Sequence, residues 1–226
     1  MSYAHHWIDG SPIDLPVGKV VCVGRNYVAH ARELGNDVPE APILFIKPST
    51  SLVPMAPSFS IPVDQGEVHH EIEMALLVGE RLQNCDAEDA RWSMAGFGLG
   101  LDLTLRDVQN ELKKNGHPWE RAKAFDGACP VSGFIDSRGV SWKQSIEISL
   151  EINGELRQRG STAQMLFPIF QLVAEMSRVF TLEPGDIILT GTPPGVAALH
   201  PGDQFCARFG NTLKVEGSVS GSELPG

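Results

Sequence analysis

A β-hairpin signal most strongly constrains how this 226-residue chain folds. Residues 148–160 read ISLEINGELRQRG, in which two alternating apolar and polar runs flank Asn153-Gly154. An Asn-Gly pair between two such runs favours a type I′ turn, because both residues adopt positive φ readily. The segment is therefore predicted to form two antiparallel strands.

The other elements are predicted from periodicity, capping residues and chain breakers. Short apolar runs typical of buried strands occupy 19–24, 43–48, 69–79 and 96–104. Glycine at alternate positions of 96–104 allows another backbone to approach closely. Helices are predicted at 25–35 (capped by Asn26 and ended by Gly35), 87–95, 104–116 (capped by Thr104 and ended by Gly116) and 164–180.

The order of these elements indicates an α+β fold. Strands and helices do not alternate strictly, which favours a large mixed sheet over a Rossmann or barrel arrangement. The proline-broken stretch 55–63 is predicted to be an edge strand or a loop. Residues 1–17 read as an irregular lead-in, and residues 18–226 read as a single catalytic domain.

Composition excludes several classes of function. The formal net charge of −10, without any basic block, disfavours binding to nucleic acid or to an anionic membrane surface. No apolar run approaches the roughly 18 residues of a membrane span. The first residues lack the pattern of a signal peptide, and the four cysteines are scattered, so we expect a cytoplasmic protein with reduced thiols.

Three carboxylates in apolar surroundings suggest a metal site. Glu71 and Glu73 share one face of a predicted strand, and Asp102 interrupts the apolar run GLGLDLT. Charged groups are rarely buried without partners, and a hard divalent cation such as Mg²⁺ or Mn²⁺ suits all-oxygen ligands. Two alternatives stay open: a solvated strand end, and a zinc site that includes His69, which has the same parity.

A second candidate set surrounds the predicted helix at 25–35. His30 and Glu33 are three residues apart and share a helical face, so the carboxylate can orient the imidazole as a general base. The alternative is an ordinary exposed helix face. Arg25 and Asn26 directly follow a strand, where they can meet an anionic substrate.

Two further segments contain polar groups that could contact a substrate. Lys123, in RAKAFD, has small and apolar neighbours and is a candidate buried ammonium, although a surface lysine is the simpler interpretation. The loop TGTPPGV at 190–196 can present backbone N–H groups and the Thr192 hydroxyl to a carboxylate. It lacks the residues of a phosphate-binding P-loop, so nucleotide binding is not supported.

Taken together, five segments resemble the fumarylacetoacetate hydrolase superfamily. They are, in chain order, VGRNYVAHARELG, EIEMALLVG, GLDLTLRDVQ, RAKAFDGACPVS and ILTGTPPGV. The resemblance covers about residues 18–220 and is closest to the short branch with acylpyruvate hydrolases and oxaloacetate decarboxylases. It implies a mixed β-roll with a few helices, usually as a homodimer.

The resemblance also implies roles for individual residues. It places the metal ligands on Glu71, Glu73 and Asp102, with Mg²⁺ or Mn²⁺ as the ion and Ca²⁺ as a substitute in crystals. The acid–base dyad falls on His30 and Glu33, within a lid that we place at 26–42. Lys123 is the implied catalytic lysine. The implied substrate-binding residues are Arg25, Arg106, Gln109 and Thr192.

The implied substrate is a small 2-oxo or 2,4-dioxo acid. The main expectation is metal-dependent hydrolysis of a carbon–carbon bond in an acylpyruvate, through a pyruvate enolate that Lys123 helps to stabilise. Decarboxylation of oxaloacetate and keto–enol tautomerisation pass through related enolates at the same site, and both remain alternatives. A protein that binds 2-oxo acids without turning them over is the alternative from another class.

Overall fold

The computed structural model describes residues 3–33, 35, 37–139 and 145–223. Within them the strands are β1 (Val20–Gly24), β2 (Ile43–Lys47), β3 (Leu52–Pro54), β4 (Ser58–Pro62), β5 (Val68–His70), β6 (Ile72–Val78), β7 (Met94–Leu101), β8 (Thr104–Leu105), β9 (Cys129–Val131), β10 (Ile135–Asp136), β11 (Glu147–Ile152), β12 (Glu155–Ser161), β13 (Ile187–Leu189), β14 (Ala197–Ala198), β15 (Gln204–Phe209) and β16 (Leu213–Ser222). The helices are α1 (Val28–Glu33), α2 (Ala87–Trp92), α3 (Arg106–Asn115), α4 (Glu120–Lys123) and α5 (Ile169–Val179).

These strands form two main sheets. An eight-stranded sheet has the order β2-β1-β13-β6-β7-β9-β3, with β10 beside β7, and a five-stranded sheet has the order β12-β11-β15-β16-β4. The pairs β1–β13, β3–β9 and β4–β16 are parallel and the other pairs are antiparallel. The predicted α+β fold with a large mixed sheet is therefore confirmed, and β4 lies at a sheet edge as its prolines indicated.

A third, three-stranded sheet of β14, β5 and β8 continues the centre of the large one. Strands β5 and β6 are consecutive in the chain and break only at Glu71, while β7 and β8 break at 102–103. On one side of the breaks β5 pairs with β8, and on the other side β6 pairs with β7. We call this junction between the two sheets the sheet seam.

The core lies on both faces of the large sheet. One cluster includes Ile72, Met74 and Leu76 of β6 and extends under the five-stranded sheet and α5. The opposite face carries Ala75 and Leu77 in a smaller cluster. Residues 3–17 pack on that smaller cluster through Tyr3, Trp7, Ile13, Leu15 and Val17, so the irregular lead-in covers the core.

The turn and glycine signals correspond to real features. Asn153 and Gly154 have φ of 53° and 80°, which confirms the type I′ hairpin between β11 and β12. A Cβ added to Gly100 of β7 would lie 2.6 Å from Leu189 Cδ2. The close packing of Leu189 on β7 therefore requires a residue without a side chain at position 100. Gly116 ends α3 with φ of 66°.

Two predicted helix caps are wrong, and the start of the helix at 164–180, which the sequence left open near Pro168, is resolved. The Asn26 side chain does not cap α1, because it bonds to the backbone of residues 167 and 190. Helix α3 starts at Arg106 rather than Thr104, whose hydroxyl donates to the Asp102 carbonyl 3.1 Å away. Helix α5 starts after Pro168, since 162–164 forms a separate 3₁₀ turn.

All four cysteines are free thiols, as predicted from their spacing. Cys22 and Cys129 are buried, and burial raises the pKa of both thiols, to about 12 for Cys129. Among the described residues, every helix is too short or too polar to cross a membrane.

Candidate active site

The sheet seam brings three carboxylates together. Glu71 and Asp102 occupy the two breaks, where the Asp102 N–H donates to the Glu71 carbonyl at 2.9 Å. Glu73 lies two residues along, in β6. One oxygen from each carboxylate lies within 4.8 Å of the others, and the three residues are only 5%, 1% and 1% exposed. The predicted cluster therefore exists, and it is buried.

Buried cations surround the carboxylates. Lys123 Nζ lies 2.9 Å from Glu71 Oε2 and 2.5 Å from Asp102 Oδ2. Lys47 Nζ lies 2.8 Å from Asp102 Oδ1, and Arg106 forms an ion pair with Glu71. Three formal negative charges thus face three formal positive charges. Lys123 is a buried ammonium, so the simpler interpretation of a surface lysine is wrong.

These neighbours shift the titration of the site in opposite directions. Burial alone raises the pKa of Glu71, but Lys123 and Arg106 outweigh it and hold that pKa well below its usual range. Burial, together with Asp102 and Glu71, raises the pKa of Glu73 well above its usual range. Burial alone lowers the pKa of Lys123, but Asp102 and Glu71 outweigh it and raise the pKa.

Glu73 is the carboxylate with the weakest protein partner. One of its oxygens accepts from the Gly191 N–H at 2.6 Å, and no lysine or arginine pairs with it among the described residues. Two neighbouring carboxylates repel it. A divalent cation held by the three carboxylates would remove this repulsion, and an all-oxygen donor set suits such a hard ion. The residues therefore fit a divalent metal.

The zinc alternative with His69 is wrong. His69 Nε2 lies 3.1 Å from Glu67 Oε2, and Arg106 Nε lies 3.4 Å from His69 Nδ1. Within the described part of the chain, the one group suited to a metal consists of the three carboxylates without this histidine. The bend at Glu71 separates β5 from β6, so strand parity does not carry across it.

The predicted dyad lies at the same pocket. His30 is 5% exposed and its Nδ1 lies 3.4 Å from Glu33 Oε2. Glu33 in turn accepts from the Gly195 N–H, at 3.0 and 3.1 Å to its two oxygens. Burial lowers the pKa of His30, although Glu71 and Glu33 oppose the shift. The imidazole is therefore neutral at neutral pH and able to accept a proton.

Four of the five candidate substrate-binding residues line the pocket, and Asn26 does not. Arg25, Arg106, Gln109 and Thr192 line the pocket with the carboxylates, His30 and Lys123. Arg25 has a φ of 62° directly after β1. Arg106 forms an ion pair with Glu71, and its Nη1 donates a hydrogen bond to Gln109 Oε1 at 2.7 Å. These contacts hold α3 against the carboxylates.

The side chains of Asn26 and Thr192 bond to backbone groups of the protein. The amide of Asn26 donates to Phe167 O and Thr190 O and accepts from the Phe167 N–H, so the side chain anchors the start of α1. The Thr192 hydroxyl donates to Ile72 O at 2.8 Å. Its proton is therefore not available to a substrate.

Several residues at the site were not predicted. Gln158 of β12 is completely buried, accepts from His70 Nδ1 and the Ile72 N–H, and donates to Thr192 Oγ1 and Pro193 O. Lys47 is the last residue of the apolar strand β2 and lies on the same face as Phe45. A charged residue at such a position could have been recognised in the sequence, because charged side chains are rarely buried without partners. Lys113 lies seven residues after Arg106 and four after Gln109, a spacing that shares one helical face.

A family comparison agrees with this fold. Residues 19–222 match the model of the fumarylacetoacetate (FAA) hydrolase C-terminal family. The chain belongs to this family, as the five segments indicated, and its fold is that of the family's solved structures.

Individual relatives differ in their reactions. The chain is 51% identical to oxaloacetate tautomerase YcgM of Escherichia coli K12, over 92% of this chain and 95% of the relative. It is 41% identical to the mitochondrial oxaloacetate tautomerase FAHD1 of Bos taurus (90% and 92% covered) and 40% identical to the mitochondrial oxaloacetate decarboxylase of Dictyostelium discoideum (81% and 85%). Fumarylpyruvate hydrolase of Pseudomonas aeruginosa, solved with Mn²⁺ and pyruvate, superposes with a TM-score of 0.91 at 35% identity, covering 98% and 97%.

Proposed function

We propose that this protein is a divalent-metal-dependent oxaloacetate tautomerase, which moves a proton between C3 and the oxygen on C2. One observation carries the proposal: a neutral histidine and a protonated lysine line the same pocket as three buried carboxylates. Tautomerisation needs a base, an acid and stabilisation of an enolate oxygen, and needs no activated water. The identity of 51% to a tautomerase supports this choice.

The roles of the side chains follow from their surroundings. His30 accepts the proton that leaves C3 of the keto acid and delivers it to the C2 oxygen of the enolate, which gives the enol; the reverse transfer regenerates the keto acid. Glu33 keeps the imidazole oriented. The ammonium of Lys123, fixed by Glu71 and Asp102, stands where it can stabilise negative charge on the C2 oxygen. Glu71, Glu73 and Asp102 would hold the cation, Mg²⁺ in our proposal, which when bound would polarise the 2-oxo group.

The charge of the site suits a dianion. The three carboxylates are matched by Lys47, Lys123 and Arg106, and Arg25 and Lys113 also line the pocket, so a divalent cation leaves the site with an excess of positive formal charge. Oxaloacetate at neutral pH carries two negative charges and would offset more of this excess than a monoanion would. Offsetting buried charge lowers the cost of removing ions from water.

Two related reactions are weaker candidates. Decarboxylation of oxaloacetate would leave a pyruvate enolate stabilised by the same groups, and a 40% identical relative has that activity in its name. Acylpyruvate hydrolysis, our main expectation from the sequence, also requires a water activated beside a distal carbonyl. The hydrolase structure is 35% identical, against 51% for the tautomerase, so the comparisons favour the alternative over that expectation.

The test follows the conversion of enol to keto oxaloacetate by ultraviolet absorbance, in Mg²⁺ and in EDTA. We expect acceleration over the spontaneous rate only with Mg²⁺, and none from Asp102→Asn. Asp64→Asn, an exposed carboxylate away from the site, is the matched control. No acceleration by the wild type in saturating Mg²⁺ excludes the proposal, and a higher kcat/KM on fumarylpyruvate replaces it with the hydrolase.

We further propose that the protein is a homodimer, as the family resemblance implies. Large apolar side chains on the surface, such as Ile8 and Val63 at 52% and 55% exposed, are candidates for coverage by a second copy. Light scattering coupled to size exclusion should give twice the 24.5 kDa chain mass. A single-chain mass at micromolar concentration would exclude the dimer.

A further inference from the structure

Lys113 is a cation at the active-site pocket to which neither the family segments nor the proposed chemistry assigns a role. It lies on α3, on the same face as Arg106 and Gln109, and lines the pocket with them. Its ammonium lies 5.4 Å from the centroid of the Trp119 ring, close enough for a cation–π contact. Trp119 therefore holds a long, flexible side chain toward the pocket.

An aromatic pair separates Lys113 from the catalytic lysine. Trp119 packs edge-on against Phe45 with ring centroids 5.9 Å apart, and Lys123 Nζ lies 5.3 Å from the Phe45 ring. One ammonium thus contacts each ring of the pair. Lys123 therefore lies beside the carboxylates and the Phe45 ring, and Lys113 lies beside the Trp119 ring. We call these two rings the Phe45–Trp119 wall.

The two lysines differ in their partners. Lys123 is bonded to Glu71 and Asp102. Lys113 forms no ion pair with any carboxylate in the described part of the chain, although it is half-buried. A half-buried ammonium without an anionic partner is a ready site for an anionic group of a ligand.

We propose that Lys113 binds the second carboxylate of a dicarboxylic substrate and selects dianionic over monoanionic 2-oxo acids. The inference rests on the proposed function, because it assumes that the 2-oxo acid end of the substrate lies at Glu71, Glu73 and Asp102. The distal carboxylate then extends along the Phe45–Trp119 wall to Lys113. A substrate without that carboxylate leaves the ammonium unpaired.

The charged groups that face Lys113 come from several elements. Arg106 lies on its own helix, Lys123 ends α4, and Arg25 follows β1, while Glu71 is the opposing carboxylate. Burial and then the three cations lower the pKa of Lys113 to about 8. The ammonium is therefore charged at pH 7 and largely neutral at pH 9, so binding of a second carboxylate should weaken over that interval.

Malate and lactate provide a test that does not depend on turnover. Both are stable 2-hydroxy acids, and malate differs by its distal carboxylate. Calorimetry in saturating Mn²⁺ measures the affinity of each acid for wild type, Lys113→Met and Lys113→Arg at pH 7 and pH 9. Lys114→Met is the matched control, since Lys114 is exposed and does not line the pocket.

In Lys113→Met the affinity for malate should fall by about tenfold or more, the usual effect of losing one charged hydrogen bond. The affinity for lactate should stay within twofold of wild type, which also shows that the variant folds and holds the metal. For wild type the ratio of malate to lactate affinity should fall between pH 7 and pH 9. Lys113→Arg should retain the ratio at pH 9 because arginine stays charged.

Three results overturn the assignment. They are equal malate affinity in Lys113→Met and Lys114→Met, an equal loss of lactate affinity in Lys113→Met, and a wild type that binds malate no more tightly than lactate. Failure of the proposed function is distinct: the wild type would then bind malate through Lys113 and yet leave the rate of oxaloacetate tautomerisation unchanged.

Discussion

Lys47 has one of the largest completely buried side chains in the protein, and its partners are all oxygen atoms. Besides its ion pair with Asp102 Oδ1, its ammonium donates hydrogen bonds to the backbone carbonyls of Lys123 and Ala128. It therefore fixes both a carboxylate of the proposed metal site and the backbone of Lys123, the proposed catalytic lysine. A buried lysine retains its charge only when such partners offset the loss of water.

Lys47→Met should lower the free energy of unfolding by about 3–5 kcal/mol, because removing one partner leaves Asp102 buried with one cation fewer. Urea denaturation without divalent cations measures the change. Lys214→Met is the control: Lys214 is exposed and pairs with exposed Glu216, so its loss should stay within about 0.5 kcal/mol. Equal effects of the two substitutions would show that Lys47 does not balance the buried carboxylate.

His30→Gln should reduce tautomerisation by roughly 10²–10⁴-fold, the usual contribution of a general base, without changing the affinity for Mg²⁺. Because burial lowers the pKa of His30, the neutral base persists at acidic pH. The wild-type kcat should therefore rise with pH through a midpoint below the roughly 6.5 of free histidine and then stay level. A midpoint above that value, or a pH profile unchanged in His30→Gln, would rule out this assignment.

Among the secondary-structure elements, α1 depends most on contacts beyond itself. Its six residues are too few for a stable isolated helix, which needs about 12 or more. Asn26 fastens its start to the chain at 167 and 190, and Glu33 fastens its end to the Gly195 N–H. The lid predicted at 26–42 is therefore tied at two points, and Leu34 and Asn36 lie outside the described residues.

Glu33→Ala should speed hydrogen exchange at the amides of α1, because the tie to Gly195 is lost. It should also reduce tautomerisation less than His30→Gln, since Glu33 orients the base without replacing it. Exchange followed by mass spectrometry gives the protection of residues 28–33, with Arg32→Ala on the same helix as the control. Unchanged protection in Glu33→Ala would mean that Gly195 does not hold the helix.

The sequence predicted elements better than their junctions. Periodicity and turn chemistry identified the hairpin at Asn153-Gly154, because these signals are local. The caps at Asn26 and Thr104 were wrong, because other backbone groups bind those side chains. For Asn26 these groups are distant, at residues 167 and 190, whereas for Thr104 the group is the Asp102 carbonyl two residues before it. Gln158 was missed because its four partners come from segments far apart in the chain. The carboxylates were predictable because buried charge stands out in an apolar run.

For the whole molecule, the carboxylates link metal binding to folding. Glu71, Glu73 and Asp102 converge only in the native state, because Asp102 lies in a different chain segment from Glu71 and Glu73 and meets them only when the two segments pair. A ligand that binds the native state alone stabilises it by about 2.7 kcal/mol at 100 times its dissociation constant.

Saturating Mg²⁺ should therefore raise the melting temperature of wild type relative to EDTA, and Asp102→Asn should remove most of that rise. Differential scanning calorimetry measures the effect, with Asp64→Asn as the control that keeps it. An equal rise in Asp102→Asn would place the stabilising cation elsewhere on the protein.

The sheet seam has a consequence for how new activities arise on this scaffold. The carboxylates come from β6 and the two strand breaks beside it, whereas Arg25, His30 and Lys113 come from a loop and two helices that line the same pocket. Substitutions in that loop and those helices leave the strand pairing at the sheet seam untouched. A substrate with a different substituent on C3 can thus be accommodated by changing these segments alone. Transplanting residues 110–119, which leaves the Arg106–Glu71 pair in place, between relatives should transfer substrate preference while the enolate chemistry stays unchanged.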